Sequence, residues 1–247
     1  MKPTKPSRFL VSCEHGGNRI PSRYRPLFRG FESLLRTHRG YDAGALTMAR
    51  DLAGVLAAPL FAATTSRLLI DLNRSLGHPK LYSEATLAAP AALRLEILAR
   101  HYLAYRGRVE DAVAAAPGGG RVVHIAAHSF TPVLDGRIRE ADVGLLYDPD
   151  RPGEVELCRR WQAACRALAP ELRVRRNYPY RGRSDGLTAH LRRRFPAERY
   201  LGIELEINQR HVFAGGRRWR ALRRTVIEAL LQALSVPDAP APRGLRG

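Results

Sequence analysis

The chain has 247 residues, of which 45% are hydrophobic, and a formal net charge of +18. That length and apolar content suit a folded chain that buries a full core without disulfides, and they exclude a disordered one. No apolar run reaches the roughly 20 residues that cross a bilayer, and the basic start Met1–Arg8 leads into no signal-peptide core, so a cytoplasmic protein with no membrane partner is expected.

In chain order, residues 1–8 read as a frayed end, and Phe9–Cys13 reads as a strand running into Glu14-His15-Gly16-Gly17. Asp42–Ala57 carries a helical apolar stripe (Ala45, Leu46, Ala49, Leu52, Ala53, Leu56) that stops before Pro59. Leu60–Ala63 and Arg67–Ile70 read as short strands or one bent strand. Ala91–Ala115 reads as one long helix ended by Pro117-Gly118-Gly119-Gly120, a turn rather than a phosphate loop because the Gly-Lys-Ser/Thr ending is missing. Arg121–Ala127 and Asp142–Tyr147 are strands, Glu154–Leu168 a helix, Leu172–Arg175 a strand, Leu187–Phe195 a helix and Tyr200–Asn208 a strand. Arg217–Leu234 is a closing helix, and the Pro-rich tail 237–247 is frayed. Alternating strands and helices with no linker predict one α/β domain over 9–236, a mixed, mostly parallel sheet with helices on both faces.

Two histidines follow apolar, strand-like runs: His15 in Cys13-Glu14-His15-Gly16-Gly17-Asn18, and His128 in His124-Ile125-Ala126-Ala127-His128. In α/β proteins, ligands bind beyond the carboxyl ends of the strands, so both imidazoles are placed to share one divalent ion. His124, inside the apolar run, reads as a core or sheet-face histidine; on a strand it stands about 13 Å from His128 and cannot share the ion. Asn18 and Glu14 are both candidates for a further ligand. Glu204 and Glu206 alternate with Ile203, Leu205 and Ile207, so the two carboxylates share one strand face. Either would serve as the base that takes a proton from water, and Glu206 is nearer the strand end. Two imidazoles, a carboxylate and an open position make a hydrolytic zinc site, with cobalt or manganese as alternatives.

Asn73-Arg74 follows Leu68-Leu69-Ile70-Asp71-Leu72 and suits capture of a substrate carboxylate; Arg181 and Arg183, on a Gly/Pro loop, are further anion-binding candidates. His38 and Asp42 are candidates to hold the ligands in place from behind, and Asp42 reads equally as a helix N-cap. Two other readings stand beside the metal site. Only Lys2, Lys5 and Lys80 among the 41 basic residues are lysines, which points to a compositional bias toward arginine, yet clusters at Arg173–Arg183, Arg192–Arg194 and Arg217–Arg224 would bind nucleic acid or other polyanions nonspecifically. Aromatic content is 7%, and no RNP, zinc-finger or GxxG signature accompanies them. Cys13, beside His15, would serve as nucleophile of a cysteine amidase with His15 or His128. Cys158 and Cys165, seven apart on a helical pattern, read as buried on one face, and three cysteines without a CxxC pair fit a reduced compartment.

Taken together these residues resemble the N-formylglutamate amidohydrolase family. The segments that carry the resemblance are Ser12–Asn18 with Pro21, Tyr41–Ala45, Ser66–Ser75, His128–Pro132, Asp142–Asp148, Asn177–Tyr180 and Gly202–Gln209, in order along nearly the whole chain. The family is similar in fold to zinc carboxypeptidases and succinylglutamate desuccinylases. The resemblance implies a three-layer α/β/α domain and a zinc-dependent hydrolase of an N-acyl, carboxylate-bearing amino acid. His15 and His128 would be metal ligands, Glu206 the catalytic base and Arg74 the holder of the substrate carboxylate. Asn18 stands where the carboxypeptidase pattern has a glutamate, so the third ligand is left between Asn18 and Glu14.

Overall fold

The computed structural model describes residues 8–116 and 120–235. The frayed ends expected at 1–8 and 237–247 lie outside the described residues, apart from Arg8, as do Gly118 and Gly119 of the glycine turn. In chain order the elements are β1 (Phe9–Cys13), α1 (Ala45–Val55), β2 (Leu60–Ala62), α2 (Glu84–Leu87), α3 (Ala91–Ile97), α4 (Ala104–Ala114), β3 (Val122–Phe130) and the small hairpin β4 (Val133–Leu134) and β5 (Arg137–Ile138). They continue with β6 (Val143–Leu146), α5 (Pro152–Leu168), β7 (Val174–Arg176), α6 (Leu187–Arg194), β8 (Tyr200–Asn208), α7 (Gln209–Ala214) and α8 (Gly216–Ser235). The main sheet has the order β2-β1-β3-β8-β6-β7. Its first four strands are parallel, and β6 turns against β8, with β7 parallel to β6. The expected mixed, mostly parallel sheet is therefore present.

The strands sort their side chains by parity, as a pleated strand must. Val11, Cys13, Ile125, Ile203 and Leu205 point to one face and pack against α1, α5 and α8. Trp161 of α5 is fully buried there and donates its indole N–H to Val226 O at 2.9 Å, and Cys158 and Cys165 share that buried side as expected. Leu10, Val122 and Tyr200 point to the opposite face, beneath α4, α6 and the segment 68–72. Each fully buried aliphatic side chain contributes about 1.5–3 kcal/mol relative to exposure, so the two apolar layers hold the sheet between them. Among the described residues, no helix is long and apolar enough to cross a membrane.

Three local expectations are corrected. Arg67–Ile70 is a turn, not a strand: Leu69 N bonds Ser66 O at 2.9 Å, and the run is buried under the α3–α4 layer without joining the sheet. The long helix over 91–115 is interrupted by a π segment, Leu98–Leu103, between α3 and α4. The helix after Asp42 begins only at Ala45, because Gly44 takes a left-handed φ of 80°. Asp42 is thus not its N-cap, and its side chain is free to turn inward. The arginine cluster 192–194 is also not a uniform surface patch. Arg192 is buried and bonded to Glu154 and to the carbonyls of Gly182 and Gly202.

Candidate active site

β1, β3 and β8 end at one edge of the sheet, and their registers place His128 directly beside Glu206 and Ala126 beside Glu204. By parity these carboxylates and His128 project from the same face, away from the Cys13 side. His15 sits just past β1, where the chain turns through Gly16 and Gly17. A Cβ on Gly17 would lie 2.6 Å from Thr64 O, so only glycine lets this turn approach the end of β2. Gly144 of β6 has a similar duty beside Glu206: a Cβ there would lie 1.9 Å from Tyr178 O, and its absence lets the loop carrying Tyr180 and Arg181 close over the edge. The result is a cavity of about 270 Å³ lined by His15, Asp42, His128, Glu204 and Glu206 at its base, with Arg74 and Arg181 on its walls.

The base of the cavity is a buried lattice of imidazoles and carboxylates. Asp42 Oδ2 lies 3.4 Å from His15 Nδ1 and 3.0 Å from His128 Nδ1. The far nitrogens meet other carboxylates: His15 Nε2 is 2.7 Å from Asp71 Oδ1, and His128 Nε2 is 3.0 Å from Glu14 Oε2, outside hydrogen-bonding geometry. The backbone pins these groups together, since Asp42 N donates to His15 O at 2.9 Å. Arg67 bonds Asp71 Oδ2 through Nη2 at 2.7 Å and Nε at 3.1 Å, and reaches Asp42 at 3.4 Å. Tyr105 OH donates to Glu14 Oε1 at 2.9 Å.

The electrostatics follow from this arrangement. Burial disfavours charge on His128, but Asp42 and Glu14 on its two nitrogens outweigh that and hold its pKa well above the usual histidine range. Burial likewise disfavours ionised Glu14, yet His128 lowers it to about 2. Burial opposes ionisation of Asp71 and Asp42 too, and Arg67 and His15 keep both well below the ordinary carboxylate range. Glu206 differs: burial pushes it up to about 8, with Asp42 and Glu204 adding to the shift and His128 opposing it. Its Oε2 is buried and, among the described residues, has no hydrogen-bond partner.

The donor set fits a divalent cation. Among the described residues, His15, Asp42 and His128 form a buried group whose ligand atoms all lie within 4.8 Å of one another. Ligation would require both imidazoles to be neutral, and Glu14, Asp42 and Asp71 would then carry three negative charges against the single positive charge of Arg67. A divalent ion would offset that excess, and Asp71 and Glu14 stand where partners that orient metal-bound histidines are found.

The residues expected from sequence divide clearly. His15, His128, Glu204, Glu206, Asn73, Arg74 and Arg181 all line the cavity. Within it Glu204 accepts from Thr188 Oγ1 at 2.6 Å, and Asn73 Oδ1 accepts from Leu187 N at 2.6 Å, tying the 73–75 loop to the start of α6. Asn18 instead lines a separate cleft with Arg19 and Arg25, because the Gly16-Gly17 turn carries it away. Glu14 lies behind His128, and the carboxylate between the two histidines is Asp42. His38 is exposed on a neighbouring groove and touches neither histidine. Arg183 is exposed and paired with Asp148 and Asp150 outside the cavity. His124 is held by Ser12 and Tyr200, as a core histidine. Cys13 faces the opposite layer, fully buried, and burial raises its thiol pKa well above the usual value, which is the reverse of what a cysteine nucleophile needs. Sequence reasoning assigns no role to Asp71 or Arg67, although both lie in the quoted run Ser66–Ser75; their pairing depends on the turn that this run makes rather than on any helical spacing.

Comparison with known proteins bears on this arrangement. The profile of the N-formylglutamate amidohydrolase family matches residues 7–213. The chain is similar to the solved gene product Atu2144 from Agrobacterium tumefaciens, with 31% identity and a TM-score of 0.79 over 93% of this chain and 91% of that one. It also shares its fold with an N-formylglutamate amidohydrolase from Ralstonia eutropha JMP134, at 22% identity and a TM-score of 0.65 over 92% of this chain and 93% of that one. No curated protein sequence matches significantly. With a family match over most of its length, and a shared fold across nearly all of it, the chain belongs to the N-formylglutamate amidohydrolase family.

Proposed function

We propose that the chain is a metal-dependent amidohydrolase that cleaves the amide of an N-acyl, carboxylate-bearing amino acid, N-formylglutamate or a close analogue. The observation that carries this reading is the meeting of His15, Asp42 and His128 with the buried Glu206 carboxyl in one cavity. Family membership and the name of the Ralstonia neighbour support the substrate class. His15, His128 and Asp42 would hold the ion, with zinc the first choice for a set of two imidazoles and a carboxylate. When bound, such an ion acidifies water and polarises a carbonyl.

The chain's own residues account for the rest of the chemistry. Glu206 takes a proton from the attacking water as the water oxygen adds to the acyl carbon. The C–N bond then breaks, and Glu206 returns that proton to the departing amine, leaving a carboxylic acid and a free amino acid. Burial raises the Glu206 carboxyl above the ordinary carboxylate range, and a more basic carboxylate takes a proton from water more readily. Arg74 and Arg181 bind and orient the substrate carboxylate, and Asp71 and Glu14 hold the two imidazoles.

The test is elemental analysis of untagged protein together with an assay of amine release from N-formylglutamate. About one divalent ion per chain is expected, with activity lost on chelation and recovered on metal return. Full activity in metal-free protein would remove the metal from the proposal, and no turnover of any N-acyl amino acid would remove the hydrolase.

A further inference from the structure

The cavity around Glu206 shares a wall with a second recess. Arg67 and Arg74 line both it and an open groove of about 490 Å³ that also touches Asp71, His38 and Lys80. The charges in this groove are unequally committed. Arg67 is held by Asp71 and Asp42, and Arg39 by Glu84 at 2.6 Å. Among the described residues, Lys80 has no carboxylate partner, whereas Arg74 makes a long bond, 3.3 Å, to Asp185 O and its charge helps hold the Asp185 carboxyl below its usual range. With Arg67 and Arg39 paired and Arg74 beside Asp185, Lys80 is the basic side chain of the groove left, among the described residues, without a carboxylate. Leu87, 57% exposed, adds an apolar wall.

We infer that this groove binds the carboxyl-side extension of a longer acidic substrate, an N-acyl dipeptide whose second residue is acidic. The inference rests on the amidohydrolase reading of the neighbouring cavity. A cavity of about 270 Å³ suits a single N-acyl amino acid, while the adjoining groove is larger and continues past Arg74. Arg74 stands at the junction, so a substrate whose first carboxylate it holds has its acyl bond on the Glu206 side and its continuing chain on the groove side. One further extended residue adds about 3.5 Å of backbone plus a side chain and directs its carboxylates along the groove whose wall carries Lys80. Water would split the formyl C–N bond of N-formylglutamylglutamate to give formate and glutamylglutamate, the same bond change as with N-formylglutamate.

The experiment compares kcat/KM for N-formylglutamate and N-formylglutamylglutamate in the wild type, Lys80→Ala and Lys80→Arg, using metal-replete protein. The dipeptide should be the better substrate by about tenfold; Lys80→Ala should remove that advantage without changing N-formylglutamate turnover, and Lys80→Arg should restore it. Calorimetry with glutamylglutamate and with glutamate reads binding without turnover, and the peptide should bind more tightly only while position 80 is cationic. A dipeptide hydrolysed no faster than N-formylglutamate, or indifferent to Lys80→Ala, overturns the groove assignment and leaves the amidohydrolase reading standing. No turnover of either compound, with peptide binding still dependent on Lys80, overturns the amidohydrolase reading and keeps the groove.

Discussion

His124 and His128 stand four residues apart on β3 and project from the same face of the sheet, yet their surroundings give them opposite properties. His124 lies mid-strand, with Tyr200 OH on Nδ1 and Ser12 Oγ on Nε2, both at 2.7 Å. Burial pushes it down to about 4, so it is a neutral structural bridge between β1 and β8. His128 lies at the strand's end, with carboxylates on both nitrogens, and its pKa moves well above the usual range. The difference comes from depth along the strand. Mid-strand neighbours are themselves strand residues, whereas at the carboxyl edge three loops bring in Glu14, Asp42 and Asp71. The candidate site lies where loops meet the sheet, the place where ligands bind in open α/β folds generally.

The comparison can be broken in several ways. The largest effect is expected at Glu206, the register partner of His128: Glu206→Gln should lower kcat by about 10²–10⁴ with metal content unchanged, and a mild loss would move the base to Glu204. Next, His128→Ala should abolish stoichiometric metal binding, while His124→Gln should keep it; equal metal content in the two variants would erase the distinction between edge and mid-strand. Asp71→Asn, which weakens the group behind His15, should reduce metal affinity by about 10–100-fold, measured by competition with a chromogenic chelator.

The smallest effect concerns stability and pH. His124 has a folded pKa of about 4 against 6.5 unfolded, so between those values the unfolded chain binds more protons and folding stability falls as pH falls. The contribution of neutral His124 is full above about pH 6.5 and lost by about pH 4, amounting to about 3 kcal/mol at most. Urea midpoints across that window should therefore show the wild type losing ground relative to His124→Gln. Parallel curves for the two proteins would mean that His124 titrates as it does in the unfolded chain.

Local pattern carried a large part of the architecture. β8 spans the residues that alternation marks, Tyr200–Asn208, and that period alone puts Glu204 and Glu206 on one face. The apolar runs before His15 and His128 place both histidines near the sheet edge, because strand ends follow from propensity and from the glycines that stop them. Where pattern misled, burial was the cause. Leu68-Leu69-Ile70 is as apolar as a strand but is buried as a turn beneath helices, and short apolar runs do not distinguish these.

The amino-acid sequence by itself determined the class of fold, the two histidines, the paired glutamates and the arginine beside Asn73, since each depends on residue type and short-range period. Only the tertiary structure decided that Asp42, not Asn18 or Glu14, stands between the histidines, and that Asp71 and Arg67 complete the lattice. It also decided that Cys13 faces the other core and that β6 runs against β8. Those outcomes depend on which way a loop turns, and that is set by contacts across large sequence separations, such as the bond from Asp42 N to His15 O, which no local pattern encodes.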